Sequence, residues 1–134
     1  MAKLFTQCLN LNRPDYERLY HYKNPNYHRE GMGIGDFSIC MYDVIKSYMR
    51  PSSTLTVKRL NEILDHLATD PNQVNTFREL LNTANAGEMK WIVRIILKDL
   101  KLGIKIEVVL NTFHPDGNEY YNLTGSLLET CKKF

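Results

Sequence analysis

Four cations recur at helical spacing in the last third of the chain: Lys90, Arg94, Lys98 and Lys101. On a helix advancing roughly 100° per residue they share one sector roughly 80° wide. Apart from Asp99, the residues among them, Trp91, Ile92, Val93, Ile95 and Ile96 included, are apolar and cover most of the remaining circumference. A helix apolar nearly all round must be buried nearly all round, with Trp91, Ile92, Ile95 and Ile96 at the centre of a helical assembly. The lengthwise cationic strip that is left suits a polyanion. An internal account of Lys98 and Lys101 stands beside it, because lysines in a last turn favour the negative end of the helix dipole. Gly103 follows the last periodic residue, where a left-handed cap is needed. Glu88 and Asp99 break the pattern from the far side, each as a cap or an ion-pair partner. In the turn Leu102-Gly103-Ile104, bare backbone N–H groups can approach a phosphate at a helix start, with Lys101 and Lys105 flanking it.

Other candidate chemistry falls short of its own requirements. Gly31-Met32-Gly33-Ile34-Gly35 has neither dinucleotide-binding spacing nor a following Gly-Lys-Ser/Thr, and a loop needing positive backbone angles explains it better. His21 and His28 share a region with Tyr20, Tyr22 and Tyr27 but lack metal-ligand spacing, so they read as half-buried side chains. A small enzyme built on that cluster is a competing reading, to be revived by a pocket holding either histidine with a perturbed pKa. Asp116-Gly117 matches the end of a Lys-x-Asp-Gly nucleotidyl-transfer signature, yet His114 stands where the lysine nucleophile belongs. No nucleophile, base and oxyanion-donor set can be assembled. The chain reads as a binding module that takes up no covalent AMP from ATP and magnesium.

Bulk properties narrow the partner. The chain has 134 residues, the size of a single domain over 1–134. Seventeen basic residues stand against 15 acidic ones, a formal net charge of +2. That excludes the strongly basic profile of a stand-alone nucleic-acid binder, so any such role rests on local clustering. Cys8, Cys40 and Cys131 are odd in number and scattered, as for reduced thiols in an intracellular protein. No apolar run approaches the ~20 residues of a membrane span, and the first residues turn polar within a turn, unlike a signal peptide. The sequon Asn122-Leu123-Thr124 then reads as chance.

The elements that must position the cations are helical throughout. Asp36 and Thr56 cap two of them, Leu55 and Leu60 form a hydrophobic staple, and Asp70-Pro71 with Gln73 reads as a capping box. After Gly103, alternation at Ile104, Ile106, Val108 and Leu110 suits a strand, while Ile106, Val109, Leu110 and Phe113 suit a helix; with no partner strand elsewhere, helix is expected. His114 to Gly117 is a turn, Tyr120 and Tyr121 lie in a short helical piece, and Thr124 opens the last helix. The fold class is all-α, an irregular assembly of eight or nine short helices. The first helix begins abruptly at Met1, as if cut from a larger domain. Exposed apolar surface is therefore expected at Leu4, Phe5 and Leu9.

The stretch from Glu88 to Gly103 resembles the signature of the helical DNA-binding domain of ATP-dependent DNA ligases: acid, any residue, base, aromatic, two aliphatics, Arg, then a base-rich turn closing on Leu-Gly. Gly35-Asp36-Phe37 resembles that family's Gly-Asp helix start. Leu55-Thr56-Val57, followed by Leu60 to Asp65, resembles its next helix. Lys98 to Gly103 and Phe113 to Asp116 look most like the end-joining branch. The resemblance covers Leu4 to about Cys131. It implies part of a nuclear enzyme that seals breaks in duplex DNA with ATP and magnesium, in which this portion grips the minor-groove side and closes a ring with two catalytic domains. The implied partners are duplex DNA through its phosphate backbone, the parent's catalytic domains and end-joining repair proteins, with no membrane. The fragment itself holds no cofactor, no metal and no catalytic residue. Position by position the resemblance supports Lys90, Arg94, Lys101 and Gly103; Lys98 and Asp99 fit only the end-joining branch, and Lys105 is added from its chemistry. The full candidate DNA-binding set is Lys90, Arg94, Lys98, Lys101, Leu102, Gly103, Ile104 and Lys105. The alternative is a helical protein-interaction domain whose basic strip docks an acidic partner.

Overall fold

Every regular element among the described residues of this computed structural model, 1–28 and 35–134, is helical, as the sequence pattern leads one to expect. The chain divides into two compact units, Met1–Asp99 and Leu100–Phe134. The first holds α1 (Ala2–Leu9), α2 (Arg13–Tyr20), a 3-10 turn (Pro25–Tyr27), α3 (Phe37–Ile45), α4 (Val57–Thr69), α5 (Gln73–Thr83) and α6 (Ala86–Ile96). The second holds α7 (Ile106–Phe113), α8 (Gly117–Thr124) and α9 (Leu127–Lys133). The expected loop over residues 31–35 lies outside the described residues except at Gly35, where φ is +88°.

Side-chain caps start the helices that matter most. Asp36 accepts from the N–H of Ser38 at 3.0 Å and of Ile39 at 3.4 Å, and Thr56 accepts from Arg59 N–H at 3.1 Å. Each satisfies donors that the first helical turn leaves without partners. At α6 the cap is reciprocal: Asn85 Oδ1 accepts from Glu88 N–H at 2.9 Å, and Glu88 Oε2 accepts from Asn85 N–H at 3.2 Å. The Ser53 hydroxyl lies 2.6 Å from the same Glu88 oxygen, so the segment before α4 is tied to the head of α6. Glu88 thus caps, as its place off the apolar stripe requires. The capping box expected at Asp70 does not form. Asp70 closes α4 instead, accepting from Asn72 N–H at 2.8 Å, and Gln73 donates back to the Leu67 carbonyl at 3.1 Å, so α5 starts two residues later than Pro71 suggests. Likewise Thr124 ends α8, and Ser126 caps α9 by accepting from Glu129 N–H at 3.2 Å.

In the first unit α6 packs on α3, α2 on α3, α1 on α2 and α5, and α4 on α5. Phe5 meets Phe77 edge to face at 5.0 Å, and Leu19, Met41, Ile45, Leu80, Met89 and Val93 close around them. Fully burying side chains of this size contributes ~1.5–3 kcal/mol each. The exposed face expected at Leu4, Phe5 and Leu9 is therefore not there: α5 lies across α1, Phe5 is wholly enclosed, and Leu4 and Leu9 pack half-buried against the same core. In the second unit, Leu110 and Thr130 are buried. Helix α8 approaches α7 at backbone distance there, since a Cβ on Gly117 would stand 2.6 Å from the Leu110 carbonyl oxygen. Phe134 stacks on His114 at 3.9 Å. The segment from Ile104 to Leu110, ambiguous in sequence, enters α7 at Ile106 as a helix.

Candidate nucleic-acid interface

Helix α6 is the segment on which the candidate set depends, and it is shorter than its sequence pattern. It ends at Ile96, with Leu97 as the cap residue. Lys98 N–H donates to the Ile95 carbonyl at 3.0 Å and Asp99 N–H to the Arg94 carbonyl at 3.0 Å, while Lys98 takes φ +58°. This pair of bonds around one left-handed residue is a Schellman closure, with lysine in the position usually held by glycine. The expected strip through Lys101 is thus corrected. Apolar and basic residues keep helical spacing beyond Leu97, but the backbone has already left the helix. Gly103 does take the positive angle expected of it, φ +69°, in a bend rather than as the helix cap.

Burial along α6 departs from expectation too. Ile92 is enclosed, but Trp91 is 43% and Ile95 45% exposed, and Ile96 is half-buried. The buried stripe runs instead through Met89, Ile92 and Val93, and it takes in Arg94. Arg94 Nε donates to Ser38 Oγ at 2.9 Å, its Nη2 lies 3.4 Å from Asp36 Oδ2, and Ser38 Oγ donates to Asp36 Oδ1 at 2.6 Å. Burial pushes the Asp36 carboxyl upward. The Ser38 hydroxyl, the Ile39 N–H, the Arg94 guanidinium and the Ser38 N–H together outweigh it and hold Asp36 below the usual carboxylate range. Arg94 is thus a cross-link between α6 and the head of α3, and its charge is not presented on a surface strip.

Lys90 is half-buried, and its ammonium lies 5.7 Å from the Tyr42 ring centroid and 5.5 Å from that of Trp91. Lys98 is exposed. In the second unit Lys101 (φ +52°), Leu102, Gly103, Ile104 and Lys105 are all exposed ahead of α7. Lys105 occupies the cap position of α7 and offers no side-chain oxygen to its first N–H groups. Among the described residues Lys90, Lys98 and Lys105 stand in no ion pair, whereas Arg18, Lys46 and Arg59 are each matched by a carboxylate. The structure therefore places Lys90, Arg94 and Lys98 in the first unit and Lys101 to Lys105 in the second.

The remaining chemistry is structural. His21 stacks on Tyr27 at 4.5 Å and lies 3.2 Å from Glu17, and His28 Nδ1 lies 3.4 Å from Cys40 Sγ. Burial, eased by Arg18 and reinforced by Asp43, pushes the Cys40 thiol up to about 11, which makes it a poor nucleophile. Among the described residues no group of three or more His, Cys, Asp or Glu side chains is gathered as a metal ion needs, and no helix is long and apolar enough to cross a membrane. The residue pattern put Trp91 in the core and singled out neither Tyr42 nor the partners of Arg94. The signal for the last was present in Asp36-Phe37-Ser38, a capping carboxylate with a hydroxyl two residues on, but nothing local pairs it with a residue 56 positions away.

Comparison with known proteins agrees with the resemblance. The family described as DNA ligase N terminus matches residues 1–114. DNA ligase 4 of Arabidopsis thaliana is 35% identical over 99% of this chain, and those of Gallus gallus and Homo sapiens are 34% and 32% identical over 99%. This chain spans 11% of the first of those proteins and 15% of the other two.

Proposed function

From the premise that this chain belongs to the DNA ligase N-terminal family, we propose that it is a duplex-DNA-holding portion of an ATP-dependent ligase of the end-joining type. In this reading the parent enzyme joins double-strand breaks in the nucleus with ATP and magnesium, and its nucleotide chemistry resides outside these 134 residues. Lys90 and Lys98 in the first unit, and Lys101, Lys105 and the Leu102–Ile104 turn in the second, meet the phosphate backbone on the minor-groove side. Arg94 supports them by fixing α6 on α3. The observation that carries the reading is the charge left over in the family-signature segment and just after it: Lys90 and Lys98 within it, and Lys105 beyond its end, have no carboxylate to neutralise them among the described residues.

Phosphate contacts position a duplex without reading its bases, which is what an enzyme acting on ends of any sequence requires. The near-neutral net charge of +2 argues for weak affinity in isolation. With about four phosphates neutralised, log affinity falls against log salt with a slope of about −3.6. Replacing Lys101 by alanine lowers the slope by ~0.9 and weakens all duplex sequences alike. Gly103→Val acts differently. A Cβ at Gly103 meets nothing within 4 Å, so the damage is torsional, a β-branched residue forced to φ +69°. It lowers stability together with affinity. A salt titration of both variants with matched thermal melts tests the reading. Wild-type affinity and slope in Lys101→Ala, with an acidic peptide binding in place of DNA, would transfer the segment to the protein-docking alternative.

A further inference from the structure

Helices α3 and α6 bring two aromatic rings to one surface around a single ammonium. Tyr42 on α3 is 38% exposed and Trp91 on α6 is 43% exposed, and Lys90 Nζ lies within 6 Å of both ring centroids, at 5.7 and 5.5 Å. Trp91 carries a second cation, with the Arg94 guanidinium carbon 4.8 Å from its centroid. Cations held over ring faces restrict both partners. Arg94 is itself fixed by Ser38 and Asp36, so the indole rests on a support tied into the core. The result is two large apolar rings left open to water on a well-packed helix pair, next to a lysine with no carboxylate among the described residues.

We infer that Tyr42 and Trp91 are further duplex-contacting residues, packing against deoxyribose faces of one strand while Lys90 takes an adjacent phosphate. The inference rests on the duplex-holding reading and extends it from charge to shape. Along a strand, an apolar sugar face alternates with an anionic phosphate; along this surface, aromatic rings lie beside cations. Sugar and phosphate are the same at every nucleotide, so the contact needs no base sequence. An acidic peptide would satisfy Lys90 equally well but has no apolar ring beside each charge to cover Tyr42 and Trp91.

Trp91 is the only tryptophan in the chain, so its emission reports on this surface alone. The whole chain is titrated with a blunt, mixed-sequence duplex while tryptophan emission is followed, and affinity is measured separately across a salt series. A saturable emission change is expected, with the same midpoint as binding. Tyr42→Ala weakens affinity about three- to tenfold, the range of one aromatic packing contact, and leaves the salt slope unchanged because no charge is removed. Tyr42→Phe and Trp91→Phe retain most of the affinity, and Lys90→Ala lowers the slope by ~0.9. Thermal melts check that each variant is folded, and the Tyr42 pair keeps the test independent of any damage at Trp91. If the duplex binds with the expected slope while Trp91 emission stays constant and Tyr42→Ala binds like wild type, the aromatic contact is wrong and the duplex reading stands. Should emission respond to polyglutamate and not to duplex, the surface is a protein-docking site and the inference fails. No duplex binding by any variant, the wild type included, removes both.

Discussion

Arg94 and Ser38 meet 56 residues apart in the chain, Nε to Oγ at 2.9 Å, and the contact joins the last turn of α6 to the head of α3. Ser38 hands the interaction on to Asp36, which is also the cap of α3. One guanidinium therefore supports a helix start and the helix pair on which Tyr42, Lys90 and Trp91 are displayed.

Removing that guanidinium leaves a largely buried carboxylate and hydroxyl without their partner. Hydrogen bonds to charged groups contribute about 1.5–3 kcal/mol, and Arg94→Ala is expected to destabilise the chain by about that much in urea unfolding. Arg94→Lys recovers only part of the loss, since one ammonium cannot bridge two acceptors as a planar fork does. If Arg94 is support rather than a phosphate ligand, a folded Arg94→Lys variant keeps the wild-type salt slope. A slope reduced by ~0.9 even in Arg94→Ala measured well below its melting temperature would place the guanidinium on DNA instead.

The same network carries a pH dependence whose sign follows from Asp36. Its folded pKa lies below the ordinary 3.8. Its stabilisation is therefore fully present above that ordinary value and is lost as pH falls through the lower, folded value. Asp43, also held low as Lys46 and Arg18 outweigh its burial, acts in the same direction. Asparagine still caps a helix, so Asp36→Asn isolates the charge. It is expected to lower the melting temperature at neutral pH and to lose less than wild type between pH 5 and strongly acid solution. Parallel curves for the two proteins would mean that Asp36 contributes no charge-dependent stability.

Large-to-small changes along α6 separate the buried stripe from the open face. Ile92 is 2% exposed, so Ile92→Ala should cost ~2–5 kcal/mol, the range for emptying a core position. Ile95, 45% exposed, should cost about 1 kcal/mol or less when changed to alanine, because little area returns to water. Urea denaturation of the two variants reads the difference directly, and equal losses would place Ile95 in a core.

What the sequence discloses and what it conceals both show in this segment. The Thr56 cap, the Asp36 cap and the helical character of Ile106–Phe113 are local features, and they are legible from residue types and spacing. The end of α6 is not. Leu97, Leu100 and Leu102 continue the apolar period, Lys98 and Lys101 continue the basic one, and no glycine or proline marks the break. Termination depends on a left-handed lysine, a conformation that side-chain type disfavours. Arg94 was misplaced for a different reason. A charge among apolar residues reads as surface when its partners are distant in sequence, and Ser38 and Asp36 lie 56 and 58 positions away.

The left-handed lysine itself gives the sharpest test. A non-glycine residue held in that region carries a cost of roughly 1–2 kcal/mol, which glycine avoids, while glycine loses roughly 0.5–1 kcal/mol through the greater freedom of the unfolded chain. Lys98→Gly, at φ +58°, is therefore expected to stabilise the first unit by about 0.5–1 kcal/mol in urea unfolding. Lys98→Ala keeps the strain and should leave stability near wild type. Both variants remove one positive charge from the proposed DNA face, so both should lower the salt slope by ~0.9 and weaken duplex binding to the same degree. A gain in stability coupled to a loss of binding is the pattern expected when strain is retained for function. If Lys98→Gly becomes more stable and still binds duplex like wild type, lysine is not held at this position for a phosphate, and the proposed face contracts to Lys90 in the first unit.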